Sequence, residues 1–434
     1  MISRLYITLS IVIVLLIPLA IATDYYVSPT GEDTNRGTTD TQPLATIQEA
    51  VNLAQPGDTV HLTEGTYFQD IETVRDGTPN APITITGPPE AIVYGGGEYR
   101  ITQIYHDYIT LDGFTIDGEY ETGSYRGKLI YAVGIDAFNG VEGVKIQNMV
   151  LRNAQDECVR LRYFATDNEI AYNTITNCGY EDFQWTDQCI EEGDNKNGEG
   201  IYIGTSPEQW GTYGAPTADA DASTNNWVHH NTIDTQGNEC IEIKESSSGN
   251  IVEYNTCTGQ KDTEAAGLNG RGNNNVFRYN TVFENCGAGI RVGGDTTSDG
   301  IKNNIYENTI WGNLGGGIKF QAIPQGLVCG NSFEDNTGGD AVGKYKEEFT
   351  PTEPCTEPLG SETEEEETDD ERETEVISSP SETISGEETS STKEESLQTN
   401  DSVQVIIVPH EKDKEGFFST IQRFLADLFA RIFS

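Results

Sequence analysis

Seven residues, Asn238 to Lys244, recur in close copies along the second half of the chain, and this recurrence restricts the fold more than any other feature. The copies are Asp156–Arg162, Gly198–Gly204, Ala265–Arg271, Gly287–Gly293 and Gly315–Gln321, and the fourth position of each is apolar. Inside a copy, Ile241 and Ile243 alternate with Glu242 and Lys244, the period of two of a short half-buried strand. Copies spaced by a few tens of residues mean one supersecondary unit per repeat, each burying its apolar face on the next. Most copies are followed by an asparagine element: Asn168–Thr174, Asn226–Thr232, Asn250–Thr256, Asn275–Thr281 and Asn304–Thr309. Turns this rich in Gly and Asn leave no room for crossover helices. The chain is therefore all-β, a single-stranded parallel β-helix.

With 35% hydrophobic residues and 46 glycines in 434 residues, the core is an elongated one of stacked rungs. The net charge of −45 excludes nucleic acid as a partner, since phosphate binding needs a basic footprint. Arg4, the apolar run Leu5–Leu19 and the small residues Ala20 to Ala22 read as a secretory signal peptide over residues 1–22. The run is also nearly long enough for an uncleaved membrane anchor. A secreted or cell-surface protein holds its eight cysteines as disulfides. Cys178 and Cys189 flank one loop, and Cys329 and Cys355 are placed to tie the last rung to the segment after it. Cys158 and Cys240 share a column with a rung between them, too far apart to bond.

Along the β-helix, taken as residues 23–349, the first recognisable piece has Leu44, Ile47, Val51 and Ala54 on one helical face and stops at Pro56-Gly57. Such an amphipathic helix covers the open end of a solenoid. Further rungs begin at Pro82, Tyr108 and Val144. Residues 350–415 are rich in Glu, Ser and Thr and nearly free of aromatics, a disordered acidic linker. Residues 416–434 place Phe417, Ile421, Phe424, Leu425, Leu428, Phe429 and Ile432 opposite Arg423, Asp427 and Arg431. That is an amphipathic helix suited to a membrane surface or a protein partner.

Tyr26–Gly31, then the Thr46-Ile47-Gln48 helix with Ala50, then Pro56–Val60 and Gly65–Tyr67, resemble the start of the right-handed parallel β-helix polysaccharide lyases and their relatives. The resemblance spans residues 24–337 and implies the hand of the coil; it is less specific for activity. In the lyases resembling chondroitinase B and alginate lyase, a lysine and an arginine on neighbouring rungs act beside a calcium held by Glu and Asn residues. Gly267–Gly272, one rung after Glu239–Glu242, looks like that site, so Arg271 carries over as acid or carboxylate clamp. Lys244 is the counterpart of the base, although the family lysine lies slightly later, where this chain has Ser246-Ser247-Ser248.

If even positions of each copy point inward, odd positions form outward ladders. The fifth-position ladder is Arg160, Tyr202, Glu242, Asn269, Arg291 and Lys319; the seventh holds Arg162, Lys244 and Arg271. Such a cationic strip on an acidic protein suits an acidic polysaccharide, since Arg clamps carboxylates bidentately. The second position of three successive copies is Glu157, Glu199 and Glu239. Stacked carboxylates bind a cation or take up protons, and Ca2+ held by Glu199, Glu239 and Glu242 is the expectation; the bland reading is three solvated side chains at a turn. Two long loops, residues 180–197 and 205–226, carry aromatics including Trp185 and Trp210, which either stack on sugar or pin the loops. The asparagine column of Asn173, Asn231, Asn255, Asn280 and Asn308 is structural. His229 and His230 lie within a strand, so one of them faces inward.

β-Elimination needs the uronate carboxylate neutralised, a base for the carbon-5 proton and an acid for the leaving oxygen. The leading expectation is thus a polysaccharide lyase, with Lys244 and Arg271 catalytic. A non-catalytic glycan-binding surface protein is the rival, and a glycoside hydrolase is weaker for want of a Gly-His-Gly signature. A Lys244 open to a groove beside Arg271 and the acidic cluster favours the lyase; a Lys244 covered by the 180–197 loop favours the binder.

Overall fold

The computed structural model describes residues 22–134, 140–190, 197–212 and 215–356. The acidic linker from residue 357 onward, the 416–434 helix and residues 1–21 of the signal segment lie outside the described residues. Three long parallel sheets of eleven, ten and ten strands run the length of a right-handed β-helix, and each rung contributes one short strand to each sheet. The rungs expected at Pro82, Tyr108 and Val144 are Ile83–Thr86, Ile109–Asp112 and Lys145–Gln147, consecutive neighbours in the first sheet. The seven-residue copies supply the second sheet, where Val159–Arg162, Ile201–Ile203, Ile241–Ile243, Ala266–Gly270, Ala288–Val292 and Ile318–Phe320 pair in order. One apolar residue per strand, such as Ile241 between Ile201 and Leu268, stacks into a continuous core.

The strict alternation expected within a copy breaks at one corner. Cys240 and Ile241 are both in the core, as are Cys158 and Val159, because the chain turns between the third and fourth positions. The second position consequently faces outward with the fifth and seventh, rather than inward. The same corner explains two disulfides, Cys158–Cys178 and Cys240–Cys257, each closed within one coil. Cys178 and Cys189, expected to be partners because they flank one loop, are not: Cys189 bonds Cys286, tying the 180–197 loop to a rung further along. Cys329–Cys355 is formed as expected.

The helix Ile47–Leu53 is capped by Thr46, whose hydroxyl accepts from the Glu49 amide, and its buried Ile47, Ala50 and Val51 close the first rung. At the other end Phe349 stacks on Phe320 at 4.1 Å. The asparagine column is a ladder in which each side-chain amide donates to the next Oδ1, from Asn173 through Asn231, Asn255, Asn280 and Asn308 to Asn331. Two further ladders run beside it, Asn168 to Asn275 and Asn285 to Asn336. The residue before each asparagine of the first ladder has positive φ, yet only the last is a glycine, Gly330; the others are Tyr172, His230, Tyr254, Tyr279 and Glu307. Rings in that left-handed conformation stack on one another, at 4.9–5.0 Å from Tyr172 to His230, Tyr254 and Tyr279, which offsets part of the strain. Neither histidine faces the core: Val228 takes that place, while His229 is covered by the Trp227 ring and bonded to Glu169.

Candidate active site

The outer face of the second sheet is a groove with two adjoining cavities, of about 460 and 390 Å³, that share Glu199 and Lys244. Strand register builds it. The fifth-position side chains follow one another as Tyr131, Arg160, Tyr202, Glu242, Asn269, Arg291 and Lys319 on seven successive rungs. The second-position column begins with Arg100 and Lys128, which are in register, and continues through Glu157 and Glu199 to Glu239. Two cations thus precede three carboxylates along one line.

The first carboxylate of that line is neutralised from within the protein. Glu157 is fully buried, which alone would raise its pKa, but Lys128 and Arg160 both bond it and hold it down at about 2. No tethered cation does this for the next two. Glu199 is raised by burial and then by Glu242, Glu157 and Glu239. Glu239 is pushed to about 8 by burial and by Glu242. One oxygen each of Glu199, Glu239 and Glu242 lies within 4.8 Å of the others, and Oε2 of Glu239 is buried with no hydrogen-bond partner among the described residues. Asn269 Nδ2 donates to Glu239 at 2.9 Å and to Glu242 at 3.0 Å, setting their orientation. Three converging carboxylates with an unused oxygen fit a hard divalent cation, which prefers oxygen ligands.

Lys244 lines both cavities with its side chain 13% exposed, and among the described residues of the 180–197 segment only Asn197 shares a cavity lining with it. Its ammonium is 3.1 Å from Glu242 and 5.3 Å from the centroid of the Tyr202 ring. Burial works against the charged lysine, yet Glu242 and Tyr202 outweigh it and raise its pKa. Arg271, one rung on, is held by Glu245 at 2.5 Å and by Asp295. Arg291 and Lys319 differ: their pKa values are lowered by burial and by a neighbouring arginine, and neither has a carboxylate within ion-pairing distance among the described residues. Arg291 donates to Asn269 and Lys319 to the Glu264 carbonyl.

Arg160 bonds Gln209 and lies over Tyr202 at 4.5 Å, while Arg162 holds Thr205, Tyr131 and the Thr212 carbonyl. The loop after Ile203 is therefore anchored by the groove's own arginines. Trp185 and Trp210 line neither cavity. Trp185 donates to the Cys178 carbonyl and packs on Tyr125 and Tyr180; Trp210 donates to the Thr205 carbonyl and packs on the Tyr131, Val133 and Tyr163 cluster. Both pin loops, and the sugar-stacking expectation for them gives way to that role. Residues not singled out from the sequence also line the groove: Tyr99, Arg100, Lys128, Tyr131 and Gln209. The rungs of the first four precede the clear copies of the repeat, and Gln209 lies in the loop after Ile203, so periodicity gave no sign of them.

This arrangement can be set against known proteins. Residues 25–207 match, as a family, the Pel9A-like right-handed β-helix region. The match ends before Glu239, so it takes in Glu199 and Tyr202 but neither Lys244 nor Arg271. Among curated proteins, pectate lyase PEL9 of Emericella nidulans is 40% identical over 86 residues, 19% of this chain and 21% of that protein. The uncharacterized protein YwoF of Bacillus subtilis is 38% identical over 103 residues, 21% and 22% of the two chains. This chain spans about a fifth of the length of the curated relatives it matches. An alginate lyase from Paenibacillus sp. str. FPU-7 superposes with a TM-score of 0.51 at 21% identity, over 67% of this chain and 96% of its own. Pectate lyase Pel9A superposes with a TM-score of 0.51 at 14% identity, over 78% and 83%. At those identities the Pel9A-like fold is what is shared.

Proposed function

We propose that this protein is a secreted polysaccharide lyase that cleaves a uronic-acid-containing polymer by β-elimination. The observation that carries the reading is the junction of the two cavities. There an acidic triad with an unsatisfied buried oxygen, the Lys244 ammonium and the Tyr202 ring meet on adjacent rungs of an open groove. The pectate and alginate lyases that share its fold support the substrate class, and four disulfides support an oxidising compartment.

Glu199, Glu239 and Glu242 would hold calcium, which supplies positive charge to the uronate carboxylate and replaces the protons those carboxylates otherwise retain. Arg291 and Lys319, unpaired with any described carboxylate, hold the acid groups of the polymer next along the groove. Lys244 removes the carbon-5 proton. In its pair with Glu242 it is protonated, so catalysis needs that pairing relaxed, and the rate rises toward alkaline pH. Arg271 is committed to Glu245 and Asp295, which suits a fixed positive charge rather than a proton donor. The Tyr202 hydroxyl is the better acid for the leaving oxygen: burial keeps the phenol protonated, and Lys244 and Arg160 flank it. No water is consumed, and the product carries a carbon–carbon double bond.

The test is the ultraviolet absorbance of that unsaturated product, using the full chain with polygalacturonate, alginate, chondroitin and glucuronan, with calcium or a chelator. Calcium-dependent absorbance that Lys244→Ala abolishes supports the lyase. Folded protein that yields no absorbance on any polymer, yet is retarded in gels containing one, favours the non-catalytic glycan binder.

A further inference from the structure

The larger cavity extends beyond the reaction centre to two side chains that the proposed chemistry does not use, Tyr99 and Arg100. The Tyr99 ring lies flat on the backbone of Gly127: a Cβ there would meet three ring carbons at 2.3–2.4 Å, so only glycine admits the ring in this pose. Its hydroxyl is tethered to Asp156, which Lys128 also holds at 2.9 Å. Yet the residue is 50% exposed. A half-exposed phenol anchored at its hydroxyl, backed by bare backbone and with the Lys128 ammonium 5.6 Å from its centroid is an aromatic platform at the mouth of a polar cavity, the form of contact a sugar face takes.

Arg100 stands beside it, with its guanidinium 3.7 Å from the centroid of the Tyr131 ring. Three other cations of this cavity have carboxylate partners: Lys128 has Asp156 and Glu157, Arg160 has Glu157, and Lys244 has Glu242. No described carboxylate is within ion-pairing distance of Arg100. Tyr105 takes one of its hydrogen bonds, and a guanidinium stacked on an aromatic face still turns its remaining in-plane donors outward, where they can bind a carboxylate.

We infer that Tyr99 and Arg100 form a second uronate subsite, in which Tyr99 stacks a pyranose ring and Arg100 binds its carboxylate. The inference rests on the lyase reading for the identity of the polymer. In the second-position column Arg100 is three rungs from Glu199 and four from Glu239, so the subsite lies roughly 14–19 Å from the acidic triad at ~4.8 Å per rung. A ligand that fills both places carries carboxylates well apart on one chain. The substrate class is thus a polymer in which uronates recur along the chain, rather than one carrying a single isolated uronate among neutral sugars.

Steady-state kinetics of Arg100→Ala and Tyr99→Ala on polygalacturonate and alginate, and on size-fractionated oligomers of whichever is cleaved, test the subsite. The expected result is a KM on polymer raised at least about tenfold, the loss of one charge-assisted contact, with kcat within about twofold of wild type. On the shortest cleaved oligomer, which does not reach the subsite, KM is unchanged. Tyr99→Phe keeps the ring and Arg100→Lys keeps the charge. Tyr99→Phe, which loses the tether to Asp156, and Arg100→Lys should each fall between wild type and the alanine variants on polymer, which a folding defect would not produce. An unchanged polymer KM in Arg100→Ala overturns the inference, as does an equal loss on long and short substrates. If the wild-type protein cleaves nothing, the lyase reading fails by itself. Retardation in polygalacturonate and alginate gels then decides: retardation lost in Arg100→Ala keeps the subsite, and equal retardation removes it.

Discussion

Replacing Glu239 by glutamine should stabilise the cation-free protein at mildly alkaline pH, the reverse of what removing a buried, hydrogen-bonded side chain usually does. Glu239 titrates at about 8 in the folded chain against 4.5 when solvated, because it is buried and because Glu242 faces it. A carboxyl raised in the folded state keeps a proton that the unfolded chain releases. Folding therefore takes up a proton between 4.5 and about 8, and stability falls as pH rises through that window. The slope is ~1.4 kcal/mol per pH unit, so the whole window is worth ~5 kcal/mol. For a domain of this size that is ~2 °C of Tm per pH unit. Glu199, raised by the same neighbours, adds to the slope. Other groups act elsewhere or cancel. Glu157, held at about 2, contributes stability that is lost only as pH falls below its solvated value of 4.5. His229 is lowered by burial, which makes stability rise with pH near its ordinary 6.5, but it does so in both proteins and drops out of their difference. The assay is thermal unfolding of the full chain and of Glu239→Gln across the window, with chelator and with excess calcium chloride. In chelator the variant should gain on wild type as pH rises; in calcium the order should reverse, because the wild type regains a ligand for its charge. Curves that run parallel in chelator, or a variant that responds to calcium as the wild type does, would refute both the raised carboxyl and the cation site.

Three further outcomes follow from the same geometry. Asn255→Ala should cost at least ~2 kcal/mol in a denaturant titration, since it strands the amide of Asn231 and the carbonyl of Val228 inside the ladder; a cost under ~0.5 kcal/mol would show the ladder to be ornamental to stability. Lys244→Ala should lower kcat on the cleaved polymer by at least ~100-fold while Lys244→Arg fails to restore it, because arginine does not give up its proton; rescue by arginine would mean that the residue acts only as a charge. Trp185→Phe and Trp210→Phe should leave KM on polymer within about twofold while lowering Tm, as expected of side chains that hold loops rather than sugar; a selective rise in KM would return them to the binding surface.

Most of the architecture was legible because a β-helix writes its register directly into the sequence. The column from Arg160 to Lys319 is one residue per rung at the fifth position of each copy, and strand pairing reproduces it without a slip. The cap was equally plain, since Thr46, the apolar face and Pro56 bracket the helix. The disulfides were legible only in part: Cys329–Cys355 was, but Cys189 and Cys286 are 97 residues apart in sequence and meet because the chain at Ile190 pairs with Asp262, a contact no local pattern records. The inward and outward assignment failed at the second position for a related reason. A period of two describes a strand, and each copy contains a corner as well. Cys240 and Ile241 both turn inward there and release Glu239 to the groove.

That corner is also what makes the groove chemically uneven. In a straight strand the second-position side chains would be buried in an apolar core, where a column of carboxylates could not persist. Turned outward at the edge of the sheet, they stay desolvated by the loops yet within reach of whatever lies in the groove. The protein neutralises Glu157 with its own Lys128 and Arg160, and does not do so for Glu199 and Glu239 one and two rungs later. A fold that merely tolerated stacked acids would treat the three alike. Leaving these two without a partner raises their pKa values and costs stability as they ionise, a cost that a pair of lysines on neighbouring rungs would have removed and that the calcium proposed above would remove. Arg100, at the other end of the same column, is the converse case of a positive charge with no carboxylate of its own. The proposed substrate, a uronate polymer bound together with calcium, would meet both imbalances.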